Sequence, residues 1–485
     1  MRKTFITNLI LLVGVNLLVK PFYILGIEAE IQNRVGPETF GSYFALINFS
    51  FLLNILPDMG STNWNTRHIA QNAHLLSKHF SRIFLLRLLL SLLYLVVVMV
   101  FGFCFDYSSH QLGMLSLLAC SQVLAAMIMY LRSNLTGLHL FKQDSIVSIL
   151  DRLLLVFMMS YLLWGGYVTD YYFNIKWLVW GQFAAYAFTF LVALLLVIRQ
   201  SGKWQFSFDK AFNVTVLKQS MPYAALIFIS MIAYRVDTVM IERIMGEHEA
   251  GLYAMSFRFF EAVNMIAYLF AVLLLPMFAL MLKEKQHVGP LVRQSFQIIY
   301  VGVFSLVVLA GFWGNEILDV FYHNNDKQGS LIFFFLMCSS LCFSLQYVFG
   351  TLITASGHLK SIIIIAAIGV VLNVVLNFIF IPQQGAYAAA KSSMITQLAI
   401  LIAQIVVVHL KYKIEKPVLL MGQTALFSTA SIALVFYIQY HTINEGSLVY
   451  RIALAICTCL VVAMLTGMLN IKAAIRLLRQ QKEAR

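Results

Sequence analysis

Four ionisable residues, Arg235, Asp237, Arg258 and Glu261, stand inside two long apolar runs joined by the short turn from Gly246 to Gly251. Water is absent from a bilayer core, so charges placed there are rare and mark function. Arg235 and Asp237 precede Gly246 by 11 and 9 residues, and Arg258 and Glu261 follow Gly251 by 7 and 10. At helical rise all four therefore fall roughly 10–17 Å below the turn. Arg258 and Glu261, at i and i+3, share one helix face. Lys20, beside the helix-bending Pro21, and Asp58 are two further charges in apolar sequence. The chemistry of such a set is non-covalent. Lys20, Arg235 and Arg258 can replace part of the hydration shell of a phosphate-like anion. Asp58, Asp237 and Glu261 can take protons or sodium, or neutralise the cations between visits of a ligand. Two bland readings stand beside these: the four hairpin charges pair as a closed ion cluster, and Asp58 is a buried structural carboxylate.

The elements that must carry these residues are membrane helices. Of the 485 residues, 61% are hydrophobic and 11% charged, against about 25% charged in soluble proteins. A spanning helix needs about 20 apolar residues, and fourteen such spans are predicted, at 7–30, 40–62, 83–104, 112–131, 146–165, 176–198, 219–243, 251–281, 295–321, 330–354, 361–381, 386–410, 418–439 and 448–470. The runs are too long and continuous for the period-two strands of a barrel, so the fold class is all-α integral membrane. No hydrophilic segment exceeds about twenty residues, which leaves no room for a soluble catalytic domain, and no enzyme activity or cofactor is expected.

The net charge of +13 follows topology. With a cytoplasmic start carrying Arg2 and Lys3, the inner segments sum to +19 and the remainder to −6, and 25 of 34 Lys and Arg fall inside, as the positive-inside rule requires. The basic excess is thus directed at lipid surfaces, with no nucleic-acid partner, and both termini are expected in the cytoplasm. The basic, apolar N-terminus lacks a small-residue cleavage site and reads as an uncleaved first span. The six cysteines have neither zinc nor redox spacing, and His68, His74 and His79, at intervals of six and five, do not read as a metal site.

A repeat at an offset of 210 organises the chain. Gly36, Gly41 and Tyr43 match Gly246, Gly251 and Tyr253, each pair of glycines bracketing a tight helix-to-helix turn. A weaker echo relates Gly137-Leu138-His139-Leu140 to Gly357-His358-Leu359. Six spans, an even number, separate the copies, so two lobes have parallel topology about an axis along the membrane normal. The expected organisation is an N-lobe at 1–200 (spans one to six), a linker at 201–218, a C-lobe at 219–412 (spans seven to twelve), spans thirteen and fourteen at 413–471 and a basic tail at 472–485. Lys20 plus 210 is Ser230, mid-helix in span seven, which places Lys20 deep. The counterparts of Arg235, Arg258 and Glu261 are Leu25, Asn48 and Phe51, so a symmetric scaffold carries an asymmetric site. Between spans two and three, Asn65 to Arg82 has apolar residues at helical spacing, predicting a helix along the cytoplasmic interface; Ile471 to Arg485 is similar.

The run Arg34 to Tyr43, then Asp58-Met59-Gly60 and Arg67-His68-Ile69-Ala70, resembles the opening of the Wzx-type polysaccharide flippases, in the superfamily that also holds the MATE exporters and the lipid II flippase. Asp237 followed by Gly246 to Tyr253, Pro276, Asn373, Asn377, Ile381-Pro382 and Gly385 resembles that family's C-lobe. Ala388 departs from it, where a glycine is usual. The resemblance covers most of the first 410 residues. It implies a V-shaped pair of six-helix bundles moving undecaprenyl-diphosphate-linked oligosaccharide from the cytoplasmic to the periplasmic leaflet of a bacterial inner membrane, for O-antigen, lipopolysaccharide or other surface polysaccharide. The same resemblance assigns the cavity cations of the first and eighth spans, Lys20 and Arg258, to the diphosphate head group. Its partners are then the lipid-linked glycan, membrane lipids and other polysaccharide-assembly proteins, with proton or sodium coupling. The alternative is a cation-coupled multidrug exporter of the MATE type, which calls for an acidic, aromatic cavity.

Overall fold

A computed structural model describes residues 19–71, 74, 76–166, 173–201, 209–323, 325, 327–412, 417–442 and 447–469. The predicted N-terminal half of span one, part of the 201–218 linker and the basic tail lie outside them. All regular structure among the described residues is helical: α1 (a π-helical turn, Phe22–Ile27), α2 (Glu28–Leu52), α3 (Ser61–Gln71), α4 (Leu76–Cys104), α5 (Ser109–Gly137), α6 (Phe141–Trp164), α7 (Ile175–Ser201), α8 (Lys210–Met245), α9 (Glu247–Lys283), α10 (Gly289–Phe321), α11 (Lys327–Ala355), α12 (Leu359–Tyr412), α13 (Pro417–Thr442) and α14 (Leu448–Leu465). Eleven of these helices are long and apolar enough to cross a membrane. One of the eleven, α12, is two helices joined at Gly385, which makes twelve among the described residues; the first two predicted spans meet at Gly36 in α2, and most of the first lies outside the described residues. Large apolar side chains such as Phe103, Phe157, Phe378 and Leu410 stand exposed, as a lipid solvent permits and water does not.

The two hairpins of the repeat share one backbone device. Gly36 has φ 81° and ψ 162°, and Gly246 has φ 94° and ψ 178°. This region of backbone space is essentially open to glycine alone. Pro37 follows Gly36 at the start of the next arm, where its missing N–H costs nothing. The second span is shorter than predicted: α2 ends at Leu52 rather than near 62. Pro57 cannot supply a helical N–H, and residues 53–60 form turns that end on Met59 (φ 45°) and Gly60 (φ 75°). The predicted interfacial helix over 65–82 divides in two. Ser61–Gln71 is the separate, amphipathic α3, whereas Phe80 and Ile83 belong to the first turns of α4.

The chain forms two compact units, Met1–Ala254 and Met255–Arg485, the division falling inside α9. In the first unit α5 packs on α7, α3 on α5, and α2 on α8. Its core includes Ile69, Phe80, Ile83, Tyr130, Leu131 and Val197. In the second, α11 packs on α10 and α12, with α13 and α14 placed against α10 around the buried Trp313, Val435 and Cys459.

Candidate functional site

Each hairpin glycine that closes the repeat lies against the other copy. A Cβ on Gly41 would stand 2.6 Å from the Gly251 nitrogen and closer still to the Glu247 carbonyl oxygen. A Cβ on Gly251 would stand 2.6 Å from the Pro37 carbonyl carbon and 2.9 Å from its Cα. Residues 37 and 41 differ from 247 and 251 by the same 210, so the contact is reciprocal. Gln32 Nε2 adds a 2.9 Å hydrogen bond to the Gly251 carbonyl. Helices α2 and α8 then run on together from this contact.

Further along that pair lies Arg235. Its Nη1 donates to Asn48 Oδ1 at 2.9 Å, and its guanidinium stands 4.8 Å from the Phe51 ring centre and 4.7 Å from that of Tyr234. Asn48 is fully buried, and its own amide donates to the Phe44 carbonyl. Asn48 and Phe51 are the repeat counterparts of Arg258 and Glu261, so the first copy uses those two positions to seat a cation of the second. Asp237, one half-turn beyond Arg235, is buried and accepts from the Tyr253 hydroxyl at 3.2 Å.

Lys20 is half-buried at the start of the described chain, and the charges that act on it are Arg152, Asp151 and Arg132. Arg152 lies 4.9 Å from the Tyr23 ring centre, with Tyr186 and Tyr43 also around it. The Asp151 carboxylate is 3.9 Å away. Arg132 is held bidentately by Asp144 at 2.7 and 3.3 Å. Lys20 and Arg152 thus share one carboxylate between them and make a net positive centre lined by tyrosines. Arg152 is a residue that sequence reasoning passed over. It lies inside the predicted fifth span, but the loop charge tally counted it with the cytoplasmic segment; an Asp-Arg pair inside an apolar run was the available signal.

Asp58 takes a different place. Arg87, 0% exposed in its side chain, pairs with it at 2.7 Å and also donates to Thr62 Oγ1 and to the Ala126 carbonyl. The Asp58 carboxylate accepts the Thr62 backbone N–H at 3.1 Å as well, so it caps α3. It joins the end of α2 to α3 and α4 in a closed network.

In the second unit Arg258 is buried and Glu261, one turn on, is half-buried. Arg258 lies near Tyr322, at the end of α10; burial pushes that hydroxyl up to about 12, and the Arg258 charge works against the rise. The four hairpin charges are therefore divided, Arg235 and Asp237 in one unit and Arg258 and Glu261 in the other. Among the described residues no group of three His, Cys, Asp or Glu is placed to hold a metal.

Eleven helices long and apolar enough to cross a membrane, with arginines and carboxylates buried among them, define a multi-pass membrane protein. Comparison with known proteins narrows this class. Residues 5–282 match the family model described as polysaccharide biosynthesis protein, and the chain belongs to that family. An uncharacterized membrane protein of Methanocaldococcus jannaschii is 24% identical over 385 residues, 76% of this chain and 89% of its own length. Among solved structures, the lipid II flippase MurJ in an inward closed conformation aligns with TM-score 0.71 at 15% identity, over 94% of this chain and 98% of that one. An inward-facing multidrug resistance MATE transporter aligns with TM-score 0.61 at 10% identity, over 82% and 98%. At these identities the two structures establish the fold.

Proposed function

We propose that the protein is a flippase that carries a polyprenyl-diphosphate-linked oligosaccharide from the cytoplasmic to the outer leaflet of a bacterial inner membrane for surface-polysaccharide assembly. The observation that supports this best is the Lys20–Arg152 centre, two cations with one nearby carboxylate inside membrane helices. A diphosphate brings the negative charge that such a centre lacks, and charge-assisted hydrogen bonds from Lys and Arg suit its oxygens. A cationic drug, the ligand of the exporter alternative, would be repelled there. Lys20, Arg152, Arg235 and Arg258 serve as head-group contacts, met in turn as the site opens to one side and then the other. Asp237 and Glu261 serve charge balance or coupling to protons or sodium. Asp58, bonded to Arg87 and to α3, serves the scaffold first. No bond is made or broken in the cycle.

The test is genetic and chemical together. Lys20→Ala, Arg152→Ala and Arg258→Ala, each expressed at the wild-type level, should lower surface glycan and accumulate its lipid-linked precursor inside the cell. Normal surface glycan in all three would refute the head-group assignment. Normal glycan in cells lacking the protein altogether would refute the transport reading.

A further inference from the structure

A second polar concavity lies away from the charges discussed so far. Between α3 and the first turns of α8 is a groove of about 400 Å3. Trp64 and Tyr223 supply aromatic walls, Asn63, Gln71 and Gln219 supply carboxamides, and Arg67 supplies one cation; among the described residues no carboxylate lines it. Asn63, Arg67, Gln71 and Gln219 are exposed.

The walls are held firmly. A Cβ on Gly60 would stand 2.6 Å from the Ser220 carbonyl oxygen and 2.9 Å from the Ala224 nitrogen, so α3 starts hard against α8. Trp64 Nε1 donates to Gln219 Oε1 at 2.6 Å. The Trp64 ring stacks on His68, 4.5 Å between centres, and His68 on His79 at 4.9 Å, their nitrogens 3.0 Å apart. On the far face of α3, Asn65 donates to Ser133 and Asn134, and Ile69 is completely buried. A groove fixed in advance loses little freedom when it binds.

Three carboxamides, each able to donate and accept, match the alternating hydroxyls of a sugar ring, and the aromatic walls match its apolar faces. A groove built for phosphate alone would carry more cations than amides. The charge distribution puts α3 on the cytoplasmic side, where a lipid-linked glycan waits before crossing. We infer that this groove is a recognition site for a sugar of the lipid-linked glycan, and so a determinant of which glycan is carried. The inference rests on the flippase reading and adds to it a place where the glycan, as distinct from its diphosphate, is read.

The experiment uses the full chain in nanodiscs and two probes: the lipid-linked glycan extracted from cells lacking the protein, and undecaprenyl diphosphate without sugar. Wild type should bind the glycan-bearing lipid roughly tenfold more tightly, the worth of one or two net hydrogen bonds. Arg67→Ala and Gln71→Ala remove exposed groups and should bring the ratio close to one while leaving affinity for the bare lipid unchanged. Trp64→Phe should keep most of the preference. Equal wild-type affinity for both lipids, or a preference that survives in both alanine variants, overturns the glycan site while leaving the flippase reading in place. Binding of neither lipid overturns both.

Discussion

Gly41 and Gly251, 210 positions apart, press the backbones of the two repeated hairpins together so closely that neither position has room for a side chain. Any Cβ there meets backbone atoms, which cannot rotate away. Gly41→Ala and Gly251→Ala should therefore each destabilise the detergent-solubilised protein by about 1–3 kcal/mol, the usual cost of overpacking. Gly302→Ala, where a Cβ would meet nothing within 4 Å, is the control. Thermal melting of the three variants side by side decides the matter.

Separating Asp58 from Arg87 should be costly. Asp58→Asn or Arg87→Gln alone leaves one charge without its partner in a buried network, at about 3–5 kcal/mol. The double variant should lose clearly less than the sum of the two. Additive losses in denaturant or thermal unfolding would show that the pair contributes nothing as a pair.

Arg152 provides a test of geometry as well as charge. Its guanidinium lies against Tyr23, a flat contact that an ammonium does not reproduce. Arg152→Ala should slow transport by roughly tenfold or more, the worth of a charge-assisted hydrogen bond, and Arg152→Lys should restore only part of it. Accumulation of the lipid-linked precursor gives the measurement.

If Asp237 couples transport to an ion, Asp237→Asn in proteoliposomes should flip lipid at a rate that no longer responds to a proton or sodium gradient. Wild-type flipping that is indifferent to both gradients would remove Asp237 and Glu261 from that role together.

Acid should loosen α3. Burial holds His68 below its ordinary value of 6.5, so the folded protein keeps this ring neutral at a pH where the unfolded chain already takes up a proton. Stability from this site is full above about 6.5 and falls as the pH drops below it. The melting temperature should fall between pH 7.5 and 5.5, and His68→Gln should flatten part of that slope.

The scaffold was more legible in the sequence than the site. The matching glycines of the two turns announced a shared backbone conformation, because φ and ψ at Gly36 and Gly246 belong to a region that no other residue enters. The all-helical membrane fold followed from hydropathy, since lipid leaves backbone polar groups no partner but one another. Partners across helices were not legible. Nothing in the spacing of Asp58 and Arg87 says that they meet, and a charge near a span end looks like a topology signal whether it faces water or is sealed inside, as Arg87 is. Pro57 was the overlooked signal for the early end of the second span.

The bond from Arg235 to Asn48 limits how alike the two halves can be. Position 48 is the first copy's version of position 258, where the second copy carries arginine. A guanidinium at both places would set Arg235 against a like charge at hydrogen-bonding distance inside the membrane. Two halves with the same set of cations could not seat Arg235 in this way.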